Sequence, residues 1–246
     1  MIRHFRLASR AGWRILLIVA SSLHFPGANP AAELMNDKRF ASVSDSGGRV
    51  PTRWRKEVER ILITDDIIAR RIREMSREIE RDFKGREMVV VSLLNGTVMF
   101  LADLIRNLSL PLRLDFIGVS SYGAGTESGE LVFTKELRLD VCGRDVLLVD
   151  DILDTGKTLY RVLAKLNALK PRRIKTCVLL NKAARRIEKV EADYVGFEIP
   201  DFFVVGYGLD FAERYRNLPF VGVLHPHVYQ QAHETVAARQ KRSRGG

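Results

Sequence analysis

Two adjacent carboxylates, Asp150 and Asp151, close an apolar run, Val146-Leu147-Leu148-Val149, and lead into Ile152-Leu153-Asp154-Thr155-Gly156-Lys157-Thr158-Leu159. Like charges side by side are costly unless a cation or hydrogen-bond donors face them. Sugar hydroxyls and hydrated Mg²⁺ are such partners. Gly156 permits a tight turn and close backbone approach. A helix starting there presents free N–H groups, and with the Thr155 and Thr158 hydroxyls these make an anion site. One end of the stretch therefore suits a sugar diol with a metal, the other a phosphate. Gly156-Lys157-Thr158 is not the end of a P-loop, because that motif needs a glycine where Asp151 stands.

The elements that must hold this stretch follow from periodicity. An uninterrupted apolar run bounded by turn signals is a strand buried on both faces of a parallel sheet, and ligands bind beyond the carboxyl ends of such strands. Thr64 is placed to cap a helix with Asp65 and Asp66 in its first turn, and Ile68, Ile72, Met75, Ile79 and Phe83 recur at helical spacing until Gly85. Strands are expected at 88–94, 112–119, 132–139, 146–149, 174–180, 194–197, 203–205 and 221–224. Helices are expected from about 97 to 108, and from the Gly156 turn to about 169, before Pro171. Strands alternating with helices predict an α/β fold, a parallel sheet flanked by helices with right-handed crossovers. Residues 123–129, rich in Gly, Ser and Thr, suit a mobile loop.

The 146–159 stretch resembles the 5-phosphoribosyl-1-pyrophosphate (PRPP) signature of the type I phosphoribosyltransferases. Four further segments are similar to the hypoxanthine-guanine branch: Leu93-Leu94-Asn95-Gly96, Ser120-Ser121-Tyr122-Gly123, Leu179-Leu180-Asn181-Lys182, and the run from Ile199 through Asp210 to Pro219. The likeness covers roughly 64–224 and implies the type I phosphoribosyltransferase fold with a small hood subdomain. It implies a purine salvage enzyme that moves 5-phosphoribosyl from PRPP to hypoxanthine and guanine, giving IMP or GMP and pyrophosphate, with Mg²⁺ as cofactor. A homo-oligomer, dimer or tetramer, is expected.

By that resemblance Asp150 and Asp151 hold the ribose hydroxyls and the metal's waters. Asp154 is the general base for the purine proton at N7, and Thr155, Gly156, Lys157 and Thr158 bind the 5′-phosphate. Asn95-Gly96 and Arg216 face pyrophosphate, Asp210 is a further metal ligand, and Ser121-Tyr122 open a loop that closes over the site. Lys182 donates to the exocyclic oxygen of a 6-oxopurine, Phe203 stacks on the purine, and Val204 offers its backbone to the base edge. An ammonium cannot accept a hydrogen bond, so adenine's amino group would find no partner there. Two positions depart from the family: Asn95 stands where Lys or Arg is frequent, and Asp150 where Glu is usual. On local pattern alone Phe203 could be core, Lys182 a solvated strand end, 182–186 a basic surface, and Arg216 a partner of Glu213.

The net charge of +10 invites a nucleic-acid reading. Its distribution opposes one: residues 1–55 carry +6 and 225–246 carry +3, which leaves +1 for everything between. The domain is expected at 57–224, with an N-terminal extension at 1–56 and a basic tail at 225–246; residues 36–56 read as a linker. No specific nucleic acid and no membrane partner is expected. Arg3, Arg6, Arg10 and Arg14 before Ile15-Leu16-Leu17-Ile18-Val19-Ala20 look like an export signal. PRPP chemistry is cytoplasmic, so an upstream start or an unstructured extension is favoured and a cytoplasmic location expected. Cys142 and Cys177 lack metal spacing and are expected to stay reduced. The rival functions are a xanthine-preferring enzyme of the same class and a non-catalytic PRPP-binding nucleic-acid regulator.

Overall fold

The computed structural model describes residues 48–121 and 131–230. Twelve elements are used below. The strands are β1 (Val58–Ile63), β2 (Met88–Leu94), β3 (Leu112–Ser121), β4 (Leu131–Lys135), β5 (Asp145–Leu153), β6 (Arg173–Asn181), β7 (Tyr194–Glu198), β8 (Val204–Val205) and β9 (Val221–Leu224). The helices are α1 (Asp65–Asp82), α2 (Val98–Arg106) and α3 (Lys157–Ala168).

The apolar run of β5 explains the architecture. Val146, Leu147, Leu148 and Val149 are all fully buried. Because side chains alternate along a strand, Leu147 and Val149 enter one core with Ile68, Ile72, Met75 and Ile79 of α1 and Phe100 and Leu104 of α2. Val146 and Leu148 enter another with Leu159, Val162 and Leu166 of α3. Truncating a side chain in such a core costs about 2–5 kcal/mol. The main sheet has the order β4-β3-β2-β5-β6-β7, with β3, β2, β5, β6 and β7 parallel and β4 antiparallel at the edge. A second sheet, β1-β9-β8, is antiparallel and takes the place of the expected hood.

Strand order reverses between β2 and β5. The chain passes from β2 to β3 on one side and from β5 to β6 and β7 on the other. Pairing of β2 with β5 ends at Ser92 and Val149, while β5 stays paired with β6 as far as Leu153 and Asn181. A crevice therefore opens between β2 and β5 at Asp150, the place where open α/β sheets bind ligands.

Four features depart from the sequence reading. Within 36–56, read as linker, two side chains pack: Val50 is buried, and Trp54 meets Tyr215 edge-on at 5.6 Å. β1 was not foreseen. Glu59 and Arg60 interrupt its apolar pattern, and its partner β9 lies far along the chain, with Val58 opposite Leu224. The strand expected over 132–139 ends at Lys135. Beyond it the backbone leaves the ladder for the buried Asp115 carboxylate, which accepts from the N–H groups of Arg138 and Leu139 (2.5 and 2.8 Å). The central strand also runs longer than expected, from Asp145 to Leu153, because β6 keeps pairing it.

Burial alone would raise the pKa of Asp115. The N–H groups of Leu139, Arg138 and Phe116 and the Lys135 ammonium at 2.9 Å outweigh it and hold the carboxyl at about 2. The folded value lies below the unfolded one of about 3.9. Its stabilisation is therefore complete above about pH 4 and lost as the pH falls toward 2. Asp115→Asn should lower the unfolding free energy at pH 7 by about 1–2 kcal/mol. Urea unfolding at pH 7 and pH 3 should show the gap to wild type shrinking at the lower pH.

Candidate active site

The loops after β2 and β5 enclose a cavity of about 250 Å³. It is lined by Leu93, Leu94, Gly96, Thr97 and Val119 and by Asp150 to Gly156, Thr158 and Leu159. Asp150 Oδ1 accepts from the N–H of Asp151 (2.9 Å), and Asp151 Oδ1 from the N–H of Ile152 (2.8 Å). Burial, and then the neighbouring charge of Asp151, push Asp150 well above the usual carboxylate range. Burial also raises Asp151, against the opposing pull of its hydrogen bonds and of Arg216.

The start of β5 shows the contrast. Asp145 is also buried, yet Arg172 Nη2 lies 2.6 Å away, and Arg86 and Arg173 at 3.4 and 3.5 Å. The Arg172 hydrogen bond leads in holding Asp145 below its ordinary value. One strand thus carries a neutralised acid at one end and two acids short of positive charge at the other. The second end is the one that faces the cavity.

Gly156 is the left-handed cap of α3, with φ 84°. A Cβ there would lie 2.9 Å from Val190 Cγ1 and 3.2 Å from Glu188 O. The contact is made by residues 186–190, which fold back over the turn. Arg186 donates from Nε to Asp154 O (3.0 Å), from Nη2 to Leu153 O (3.2 Å) and Asn181 Oδ1, and from Nη1 to Val190 O (2.6 Å). The N–H groups of Ile187 and Glu188 donate to Thr155 O (2.9 and 3.0 Å). Sequence reasoning left Arg186 in a basic surface. Its signal was only its place four residues after Lys182.

Asp154 lies in the cavity wall, with Oδ2 3.5 Å from Arg185 Nη1. Its Oδ1 is buried without a hydrogen-bond partner among the described residues. The Lys182 side chain is only 6% exposed and pairs with Asp201 at 3.6 Å, while its N–H donates to Leu153 O (2.9 Å). β6 thus delivers the lysine beside the β5 loop.

Gly96 and Gly208 settle how the remaining residues approach. A Cβ on Gly96 would overlap Asp151 Oδ2, and one on Gly208 (φ 100°) would overlap Gly96 O. Arg216 Nη1 donates to Gly208 O (2.9 Å), and the Gly208 N–H donates to Arg216 O (2.9 Å). Asp151, Gly96, Gly208 and Arg216 therefore form one contiguous row. Arg216 also pairs with Asp210 Oδ1 (2.9 Å) and Glu213 (3.1 Å), so the local alternative for this arginine holds as well. Asp210 Oδ2 accepts from the Glu213 N–H (2.9 Å). Asn95 is exposed beside Gly96.

Phe203 is partly exposed. It stacks on Tyr229 (4.9 Å, 14°) and meets Phe211 at right angles (5.3 Å). Leu224 N–H donates to Phe203 O (2.9 Å), so strand alternation turns the N–H and carbonyl of Val204 toward the open edge of β8. Lys157 opens α3 beside Thr155 and Thr158. Ser121 ends β3, and Tyr122 lies outside the described residues.

Residues 57–212 match the model of the phosphoribosyl transferase domain. The chain belongs to this family. Among phosphoribosyltransferases it is 43% identical to the hypoxanthine-guanine phosphoribosyltransferase of Bacillus subtilis over 175 residues, which are 71% of this chain and 97% of that one. It is 45% identical over 176 residues to the bifunctional protein TilS/HprT of Listeria monocytogenes, and there spans only 27% of the longer protein. The crystal structure of a hypoxanthine phosphoribosyltransferase from Staphylococcus aureus superposes with a TM-score of 0.70 at 41% identity, covering 74% of this chain and 99% of that one.

The Gly208–Gly96 contact is testable without a ligand. Gly208→Ala should lose about 1–3 kcal/mol of stability, from a disfavoured φ and a backbone overlap together. Gly143 also has a positive φ (66°) but open space around it. Gly143→Ala should lose only about 1 kcal/mol. Equal losses in denaturant unfolding would remove the contact from the account.

Proposed function

We propose that the protein transfers 5-phosphoribosyl from PRPP to N9 of hypoxanthine and guanine, giving IMP or GMP and pyrophosphate. The observation that carries this is the cavity itself. It joins the two uncompensated acids, the phosphate turn and the unpartnered oxygen of Asp154 at the crevice between β2 and β5. The names and identities of the relatives support the same reading.

In this reading Asp150 and Asp151 receive the ribose hydroxyls. Thr155, Gly156, Lys157 and Thr158 bind the 5′-phosphate at the α3 N-terminus, where backbone N–H groups favour an anion. Gly96 and Arg216 border the pyrophosphate. Asp154 Oδ1 takes the purine proton as the new bond forms. Lys182 donates to O6, Val204 presents its free backbone edge, and Phe203 packs against the ring. Asn95 brings no charge, so the anion falls to the Gly96 backbone and Arg216. Ser121 and Tyr122 would close the site and exclude water from the sugar cation.

Mg²⁺ fits Asp150 and Asp151: burial disfavours the charged form of both, the charge of Asp151 adds to that at Asp150, and hard carboxylate oxygens suit this ion. Asp210 would join after parting from Arg216. The chemistry a bound Mg²⁺ supplies is charge stabilisation on the departing pyrophosphate. No helix among the described residues is long and apolar enough to cross a membrane. We place the protein in the cytoplasm, where PRPP is available, as a dimer or tetramer. Steady-state kinetics with hypoxanthine, guanine, xanthine and adenine test the whole proposal. A preference for xanthine or adenine would overturn it.

Asp154→Asn should lower kcat about 10²–10⁴-fold while PRPP still binds, because the amide keeps the shape and loses the base. Near-normal turnover across the pH range would exclude Asp154 as the base. For Lys182, adenine would set a donor against a donor in a partly dehydrated site, at a cost of roughly 1–3 kcal/mol. Preference for hypoxanthine should then be about ten- to a hundredfold from this contact, and Lys182→Ala should narrow it. An unchanged ratio of catalytic efficiencies in the mutant would leave Lys182 as a solvated strand end.

A further inference from the structure

We propose that Asp201 and Arg185 are positioning residues that tie the purine-oxygen donor to the proton acceptor. The proposal rests on the roles given above to Lys182 and Asp154. The Lys182 ammonium is almost wholly removed from water, and its stem is long and flexible. A buried cation is costly unless an anion faces it, and that anion fixes its aim. Among the described residues Asp201 is the one carboxylate paired with it, Oδ1 at 3.6 Å. The same oxygen lies 3.9 Å from Arg185 Nε, and Arg185 Nη1 lies 3.5 Å from Asp154 Oδ2. Four charges alternate in a row that ends at the cavity: Lys182, Asp201, Arg185, Asp154. Arg185 engages Oδ2 of Asp154 and leaves Oδ1, the buried oxygen without a partner, for the substrate. The two middle members are half exposed, 53% for Asp201 and 50% for Arg185. Pairs so exposed add little stability. Their use is direction: each fixes one side-chain head that must meet the purine.

The test is steady-state kinetics of the full chain carrying Asp201→Asn, Asp201→Glu, Arg185→Ala or Lys182→Ala, with hypoxanthine, adenine and PRPP as varied substrates. Asp201→Asn should raise the hypoxanthine KM roughly three- to tenfold and narrow the preference over adenine. The PRPP KM should stay within about twofold, because Asp201 pairs with the purine-side lysine and with none of the residues given to PRPP. Asp201→Glu, which keeps the charge, should recover most of the loss. Arg185→Ala should lower kcat several-fold with the hypoxanthine KM held, since it touches the base and not the donor. If Lys182→Ala narrows the preference but Asp201→Asn does not, the positioning role is overturned and the base-recognition reading stands. If Lys182→Ala itself changes nothing, that reading fails and takes this proposal with it. Should Asp201→Asn not fold, Arg185→Ala decides: an unchanged kcat overturns the link.

Discussion

The site hangs on the close approach of backbone to backbone at Gly96 and Gly208, with the Asp151 carboxylate against Gly96. No side chain larger than hydrogen fits at either glycine without displacing a neighbour. Through that contact the segment leading to Arg216 is seated against the β2 loop, and the β2 loop against the acid pair of β5. The row is short because it contains no side-chain layer at these two positions. Arg216 consequently stands near enough to Asp151 to oppose the rise in its pKa. A looser packing here would separate the arginine from the crevice it borders.

Charge along β5 divides scaffold from site. Asp145 satisfies its carboxylate with three arginines, Arg86 and the adjacent Arg172 and Arg173, and pins the start of the strand. Asp150 and Asp151 receive mainly backbone N–H groups, and burial disfavours their ionised forms. A protein gains no stability from leaving two acids so placed. Their cost is comprehensible when a cation or a sugar diol completes them. Arg186 contributes the complementary rigidity, since it holds the carbonyls of Leu153 and Asp154 from outside the cavity.

Much of this was legible in the sequence because it is local. The uninterrupted apolar run before Asp150 marks the buried strand, Gly156 marks the turn, and the spacing from Ile68 to Phe83 marks α1. The features that escaped depend on distant partners. β1 carries Glu59 and Arg60 among its six residues and becomes a strand only against β9, which comes more than a hundred residues later. Val50 and Trp54 sit in a polar stretch and are recruited by the core around Tyr215. The strand expected over 132–139 stops early because Asp115, on the neighbouring strand, offers its carboxylate to the backbone at 138 and 139. Arg186 looks like any surface arginine until β6 places it over the Gly156 turn. The row through Gly96 and Gly208 joins positions whose local patterns give no hint of each other.

The edge position of β8 has its own consequence for variation among relatives. Val204 turns its peptide N–H and carbonyl outward, and every residue type except proline carries the same two groups. On the proposed reading, the base edge is therefore read by atoms that substitution at 204 leaves in place. Changes in base preference must then come from side chains around that fixed edge, such as Lys182 and its carboxylate partner. A lineage could retune which purine it accepts without rebuilding the strand that holds it.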